Sequence, residues 1–209
     1  MVGAHAGCLA VTRENDVTII VGRKNCGKST RARALALERP RRIYIDAMHE
    51  YTDGVIVRDF PSLAAYLRNK VYDRYSVVFR SMDEREILAA ISIATHGSPE
   101  SPPLPGVTYI IDEADRLCSA RSNPEAIHNL ANYGRHFSVS AIFIARRAKA
   151  LPADIRASAD RYIIGQTFEP GDVDYMREYI GDEKAEAVKA IPPRADGQAG
   201  VFVEWPEVG

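Results

Sequence analysis

Cysteine is scarce in this chain, neither sign of charge is in excess, and long apolar runs are missing. The three cysteines, Cys8, Cys26 and Cys118, stand far apart without metal-ligand spacing. Neither a zinc site nor a disulfide framework is indicated, and a reducing, cytoplasmic compartment fits. With 27 basic residues against 28 acidic ones the net charge is −1, so any contact with nucleic acid has to come from a local patch. No apolar stretch approaches the roughly 18 residues that span a bilayer; the expectation is a soluble protein with no intrinsic membrane segment. Gly7-Cys8 has the look of a lipoprotein signal, but His5 interrupts a segment with neither a basic start nor a long apolar run. There is no internal repeat and no long low-complexity segment.

What is present is enough apolar material for one core: 46% of 209 residues. The expected organisation is a short N-terminal extension, 1–15, and a single domain, 16–209. Short β-branched or apolar runs read as strands at Val17 to Val21, Ile43 to Asp46, Val55 to Val57, Ser76 to Arg80, Val107 to Ile111, Val139 to Ala145 and Arg161 to Gly165, with an edge strand at Val201 to Glu204. Helical spacing covers Ser29 to Glu38, Pro61 to about Lys70, Asp83 to Thr95, Pro124 to Tyr133, Asp172 to Tyr179 and Lys184 to Ala190. The Pro- and Ser-rich segment Gly97 to Gly106 reads as a surface loop. Strands alternating with helices predict an α/β fold with a mostly parallel sheet covered on both faces.

Two motifs carry chemistry. Gly22-Arg23-Lys24-Asn25-Cys26-Gly27-Lys28-Ser29 matches G-x-x-x-x-G-K-[ST] in full, between a predicted strand and a predicted helix, with Thr30 following. Such a loop turns backbone N–H groups onto phosphate oxygens, and the helix N-terminus adds partial positive charge. Lys28 is placed to reach the β and γ phosphates of ATP, and the Ser29 hydroxyl to ligate Mg²⁺. The second motif is Tyr109-Ile110-Ile111-Asp112-Glu113, an apolar strand ending in two carboxylates. Asp112 suits Mg²⁺, and Glu113 suits the task of polarising an attacking water.

Other residues are more ambiguous. Asp46, followed by Glu50-Tyr51, reads locally as a turn or cap. Arg146 and Arg147 follow a buried-looking strand and should emerge at the carboxyl edge of the sheet, where ligands bind; one of them is expected at the γ-phosphate, and Arg146 is the candidate site residue. Cys26, Cys118 and His49 read as small core or loop residues.

With these residues in view, the chain resembles the FtsK–HerA superfamily of DNA-pumping ATPases, and especially the small genome-packaging members from tailless viruses with an internal membrane. The likeness rests on the P-loop, Ile45 to Tyr51 (similar to a D-x-x-x-E-Y pattern), Asp112-Glu113, and Gly134-Arg135 leading into Arg146-Arg147. One departure is Arg146-Arg147-Ala148 where the family usually places a polar sensor before Arg-Pro. The resemblance implies a three-layer P-loop NTPase of the RecA-like (ASCE) type, acting as a hexameric ring on dsDNA with ATP between subunits. An arginine from one subunit then completes its neighbour's site, and Arg135 is the first candidate; the local alternative is a cation that stabilises the end of the preceding helix. It also implies a virion-associated or host-cytoplasmic motor that meets a capsid or membrane-vertex protein. Two other functions stay open from the sequence: a nucleotide-dependent assembly or secretion factor that moves no DNA, and a small-molecule kinase. Glu113 and the lack of an evident lid weigh against the kinase.

Overall fold

The computed structural model describes residues 16–68, 70, 73–97, 104–167, 169–195 and 197–206. The expected extension, 1–15, and most of the expected loop, 98–103, lie outside the described residues.

The strands are β1 Val17–Val21, β2 Arg41–Ile45, β3 Val55–Val57, β4 Tyr75–Phe79, β5 Thr108–Ile111, β6 Ser140–Ala145, β7 Arg161–Ile164 and β8 Val203–Trp205. The helices are α1 Lys28–Leu37, α2 Phe60–Leu67, α3 Glu84–His96, α4 Ala114–Leu117, α5 Glu125–Tyr133, α6 Ala153–Ala157, α7 Pro170–Ile180 and α8 Asp182–Lys189. All eight expected strands form, within two residues of their expected ends. The short helices α4 and α6 were not anticipated: four and five residues are too few to show a 3.6-residue period.

The strands make one sheet in the order β3-β4-β2-β5-β6-β1-β7-β8. Every pairing is parallel except that of β7 with β8. Parallel strands covered on both faces must be apolar on both, and β1, β5 and β6 are buried at every position. Side chains alternate between two cores. Ile19, Ile43, Tyr109 and Phe143 face the larger one with α3 and α5, while Ile20, Tyr44, Ile110 and Ile142 face the smaller one with Ala32 and Ala36 of α1. The result is the three-layer α/β fold expected from the alternation. Each fully buried Ile or Leu contributes roughly 1.5–3 kcal/mol. On the α1 side, alanines let the helix lie close to the sheet.

Register fixes the functional edge. Val21 pairs with Ala145, and Ile45 with Ile111, so the chain leaves β1, β2, β5 and β6 at one common carboxyl edge. The P-loop, Asp46, Asp112-Glu113 and Arg146-Arg147 are therefore brought together by topology alone.

Candidate nucleotide site

The loop from Gly22 to Gly27 joins β1 to α1. Gly27 caps α1 with φ 97°, ψ 16°, a left-handed conformation that suits a residue without Cβ. The first-turn amides of α1 have no acceptor within the helix and face the loop. The Lys28 ammonium bridges the loop, donating to Gly22 O at 2.8 Å and Arg23 O at 2.9 Å. Arg23 N donates to Gln166 O at 2.8 Å, which anchors the loop to the segment after β7. Cys26 is buried beneath the loop, and burial pushes its thiol up. It packs here as the sequence suggests, contributing to the loop through its backbone.

A cleft of about 200 Å³ opens beside this loop. Lys24, Asn25, Gly27, Lys28, Ser29 and Thr30 line one side, and Glu50, Asp112, Glu113 and Asp115 another. Ser29 Oγ donates to Asp112 Oδ2 at 3.2 Å. Burial, and next the charge of Glu50, push the Asp112 carboxyl above the ordinary aspartate range. A carboxylate disfavoured in this way gains from a nearby cation. The hydroxyl and carboxylate fit Mg²⁺, which takes one or two protein ligands and fills its remaining positions with phosphate oxygens and water.

Glu113 sits at φ 48°, ψ 48°, a left-handed conformation uncommon for a side-chain-bearing residue and frequent at functional sites. Its amide donates to Asp112 Oδ1 at 2.9 Å. Its carboxylate accepts from Arg146 Nη2 at 3.1 Å and lies 3.6 Å from Arg116 Nη1. Arg146 lines the same cleft, with its side chain largely exposed. Arg147 is turned elsewhere and pairs with Glu169 at 3.0 Å and Asp172 at 2.8 Å. Adjacent side chains point to opposite sides, so only one of the two arginines can serve the cleft.

Arg135 is not at this site. It is exposed in a 3₁₀ turn, Gly134–Phe137, that precedes β6. That places it at the amino edge of the sheet, about 20 Å, or one strand length, from its own P-loop. Among the described residues no acid pairs with its guanidinium.

Asp46 is fully buried and accepts from Glu50 N at 2.8 Å, Tyr51 N at 3.2 Å and Arg80 Nε at 3.1 Å. It is the cap of a turn, as the local reading has it, and this turn delivers Glu50 to the cleft.

Sequence reasoning missed two polar residues of the cleft, Asp115 and Arg194. The chain after α8 crosses the P-loop, and Arg194 Nη1 donates to Asn25 O at 3.3 Å while its Nε donates to Gln198 O at 2.6 Å. A Cβ on Gly200 would lie 2.2 Å from Cys26 O, so only glycine permits the crossing. Nothing local in the sequence announces a contact between residues 194 and 25. Arg194→Ala should weaken nucleotide binding, roughly 10- to 150-fold for loss of one charge-assisted hydrogen bond, with thermal stability nearly unchanged. Titration of a fluorescent ATP analogue would read this, and unaltered affinity would reduce the arginine to a structural strap.

No family model matches the chain, and the curated proteins contain no match to it. Among solved structures, the genome packaging NTPase B204 from Sulfolobus turreted icosahedral virus 2, in complex with ATP-gammaS, superposes with a TM-score of 0.68. The two are 23% identical over 85% of this chain and 88% of that one. The DNA-packaging ATPase B204 from Sulfolobus turreted icosahedral virus gives a TM-score of 0.62 and 21% identity over 85% and 88% of the chains. The pCW3 conjugation coupling protein TcpA, with ATPgS, gives a TM-score of 0.50 and 12% identity over 83% of this chain and 54% of that one. From sheet order, P-loop geometry and these superpositions, the chain has the three-layer α/β fold of P-loop NTPases, the fold of the B204 packaging ATPases.

Proposed function

We propose that the protein is an ATP-hydrolysing motor that translocates dsDNA, packaging a viral genome into a preformed capsid as a homo-oligomeric, hexameric ring. The observation that carries the reading is the convergence of Lys28, Ser29, Asp112, Glu113 and Arg146 on one cleft at the carboxyl edge of the sheet. The likeness in fold to the B204 genome packaging NTPases, along 88% of their length, supports the extension from ATPase to packaging motor.

In this reading the P-loop amides and Lys28 hold the β and γ phosphates, and Ser29 and Asp112 hold Mg²⁺. The bound cation supplies positive charge against the charge developing on the phosphoryl oxygens. Glu113 takes a proton from the attacking water as its oxygen bonds to the γ-phosphorus. The bond from that phosphorus to the bridging oxygen breaks, and ADP and phosphate leave. Arg146 donates to the Glu113 carboxylate. An incoming γ-phosphate competes for the guanidinium, which would release the carboxylate for the water and place Arg146 on the phosphate.

DNA contacts have to be local, given the near-neutral chain. Exposed Arg121, in the tight Ser119–Ser122 hairpin beyond α4, is the candidate for a phosphate contact on the carboxyl side. The test is ATP turnover with and without long dsDNA over a salt series. Stimulation by DNA that fades steeply with salt is expected, because phosphate contacts release counterions. Hydrolysis indifferent to DNA at every salt concentration would leave an ATPase and remove the translocation motor. No hydrolysis at all would remove both.

A further inference from the structure

Tyr51 is 2% exposed, and its hydroxyl has no hydrogen-bond partner. A buried hydroxyl left in that state costs free energy, so its place calls for an explanation. Its ring is held from two sides. It stacks on Tyr44 at 4.6 Å between centroids, and the backbone is pinned by Asp46 and by Arg80 Nη2, which donates to Tyr51 O at 2.6 Å. The hydroxyl is thereby aimed at the Ser29 and Asp112 side chains without completing a hydrogen bond of normal geometry to either. Two other buried tyrosine hydroxyls also lack partners, but Tyr44 lies among Arg42, Arg33 and Asp53, and Tyr75 lies near Arg41. Only Tyr51 of the three abuts the residues that fit Mg²⁺.

We infer that Tyr51 is a positioning residue for the cation site: its phenol donates to the Asp112 carboxylate when nucleotide and divalent cation are seated, holding that carboxylate in the orientation that ligates the metal. Several features cooperate in this. The Ser29 hydroxyl donates to Asp112 Oδ2; with the Ser29 oxygen turned to a cation, Asp112 loses that donor, and the unpartnered Tyr51 hydroxyl beside it can replace it. A phenol is a hydrogen-bond donor at ordinary pH. Hydrogen bonds of this kind, made to a ligand by a group that does not touch the metal, set both ligand orientation and affinity. The inference rests on the reading of the cleft as a Mg²⁺–nucleotide site.

The test is Tyr51→Phe, which retains the ring and its stack on Tyr44 and removes only the hydroxyl. Mn²⁺ binding is followed by electron paramagnetic resonance in the presence of AMPPCP, and AMPPCP binding is measured separately in EDTA. The variant should bind Mn²⁺ roughly 10- to 100-fold more weakly, with metal-free AMPPCP affinity and melting temperature unchanged. Tyr44→Phe, which removes the other hydroxyl of the stack, should leave Mn²⁺ affinity alone. Mn²⁺ affinity within twofold of the unaltered protein in Tyr51→Phe overturns the inference, as does an equal loss in Tyr44→Phe, which would signal general loosening. If the unaltered protein binds no Mn²⁺ with AMPPCP, the cation site itself fails; that result is distinct from a failure of Tyr51 alone.

Discussion

Glu113→Gln is expected to bind ATP as the unaltered protein does and to cleave it roughly 10²–10⁴-fold more slowly, the usual contribution of a general base. The amide keeps the shape of the side chain and can still accept a hydrogen bond from Arg146, but it cannot take a proton from water. The structure sharpens what should be seen. Glu113 is held by Arg146 at 3.1 Å, and neutralising it removes an ion pair that competes with the γ-phosphate for that guanidinium. ATP binding by the variant should therefore be unchanged or tighter, never weaker. Single-turnover hydrolysis and equilibrium binding, measured side by side, separate the two effects. Normal hydrolysis by the variant would make Glu113 a strand-end cap and would place the base elsewhere. The ion pair is half exposed, with Arg146 61% and Glu113 27% accessible, so its loss should hardly alter thermal stability.

Loss of Arg135 carries the largest expected effect. An arginine donated to a neighbour's site supplies charge where the γ-phosphoryl oxygens become more negative in the transition state, and it is worth roughly 10³–10⁵ in turnover. Arg135→Ala should lose that much while its own cleft, at the opposite edge of the sheet, remains intact and binds nucleotide. Lys28→Ala should be inactive for the converse reason, because it lacks the charge that holds the β and γ phosphates. Mixing the two inactive proteins should restore partial activity, since some clefts with an intact Lys28 will then face an intact Arg135. Full activity of Arg135→Ala alone would reduce the residue to an exposed cation at the end of α5. No recovery on mixing, in assemblies shown to exchange subunits, would remove donation between subunits by this arginine.

Much of the site was legible because it is local in sequence. A glycine-rich loop has to follow a strand and open a helix to work, and Gly22 to Ser29 does so within eight consecutive residues. Asp112 and Glu113 were legible because a wholly apolar strand ends at them. Asp46 was correctly readable as a turn, while the hydroxyl of Tyr51, five residues later, could not be assigned from the pattern at all. Its meaning depends on Ser29, from the first turn of α1, and Asp112, from the end of β5. Of Arg146 and Arg147, which both follow β6, the sequence favours Arg146 for the site, and it is the packing against Asp172 and Glu169 that turns Arg147 away. Arg194 was invisible for a simpler reason: it reaches the P-loop through a crossing more than 160 residues downstream, between Arg194 and Asn25. The fold followed from apolar period and turn chemistry, but strand order did not, since parallel neighbours are joined through distant crossovers.

That strand order has a consequence for how the protein is made. Among the described residues β1, which carries the P-loop, pairs with β6 and β7 alone, so this strand waits for two that are synthesised much later. At about 5–20 residues per second, translation from residue 21 to residue 164 takes roughly 7–30 s. Throughout that interval the segment V-T-I-I-V is an unpaired, uncharged, β-prone stretch on a nascent chain, the kind that adheres to other chains. ATP offers no help during the wait, because Asp112, Arg146 and the crossing at Gly200 have not yet come together around Lys28. Slower translation would lengthen the exposure.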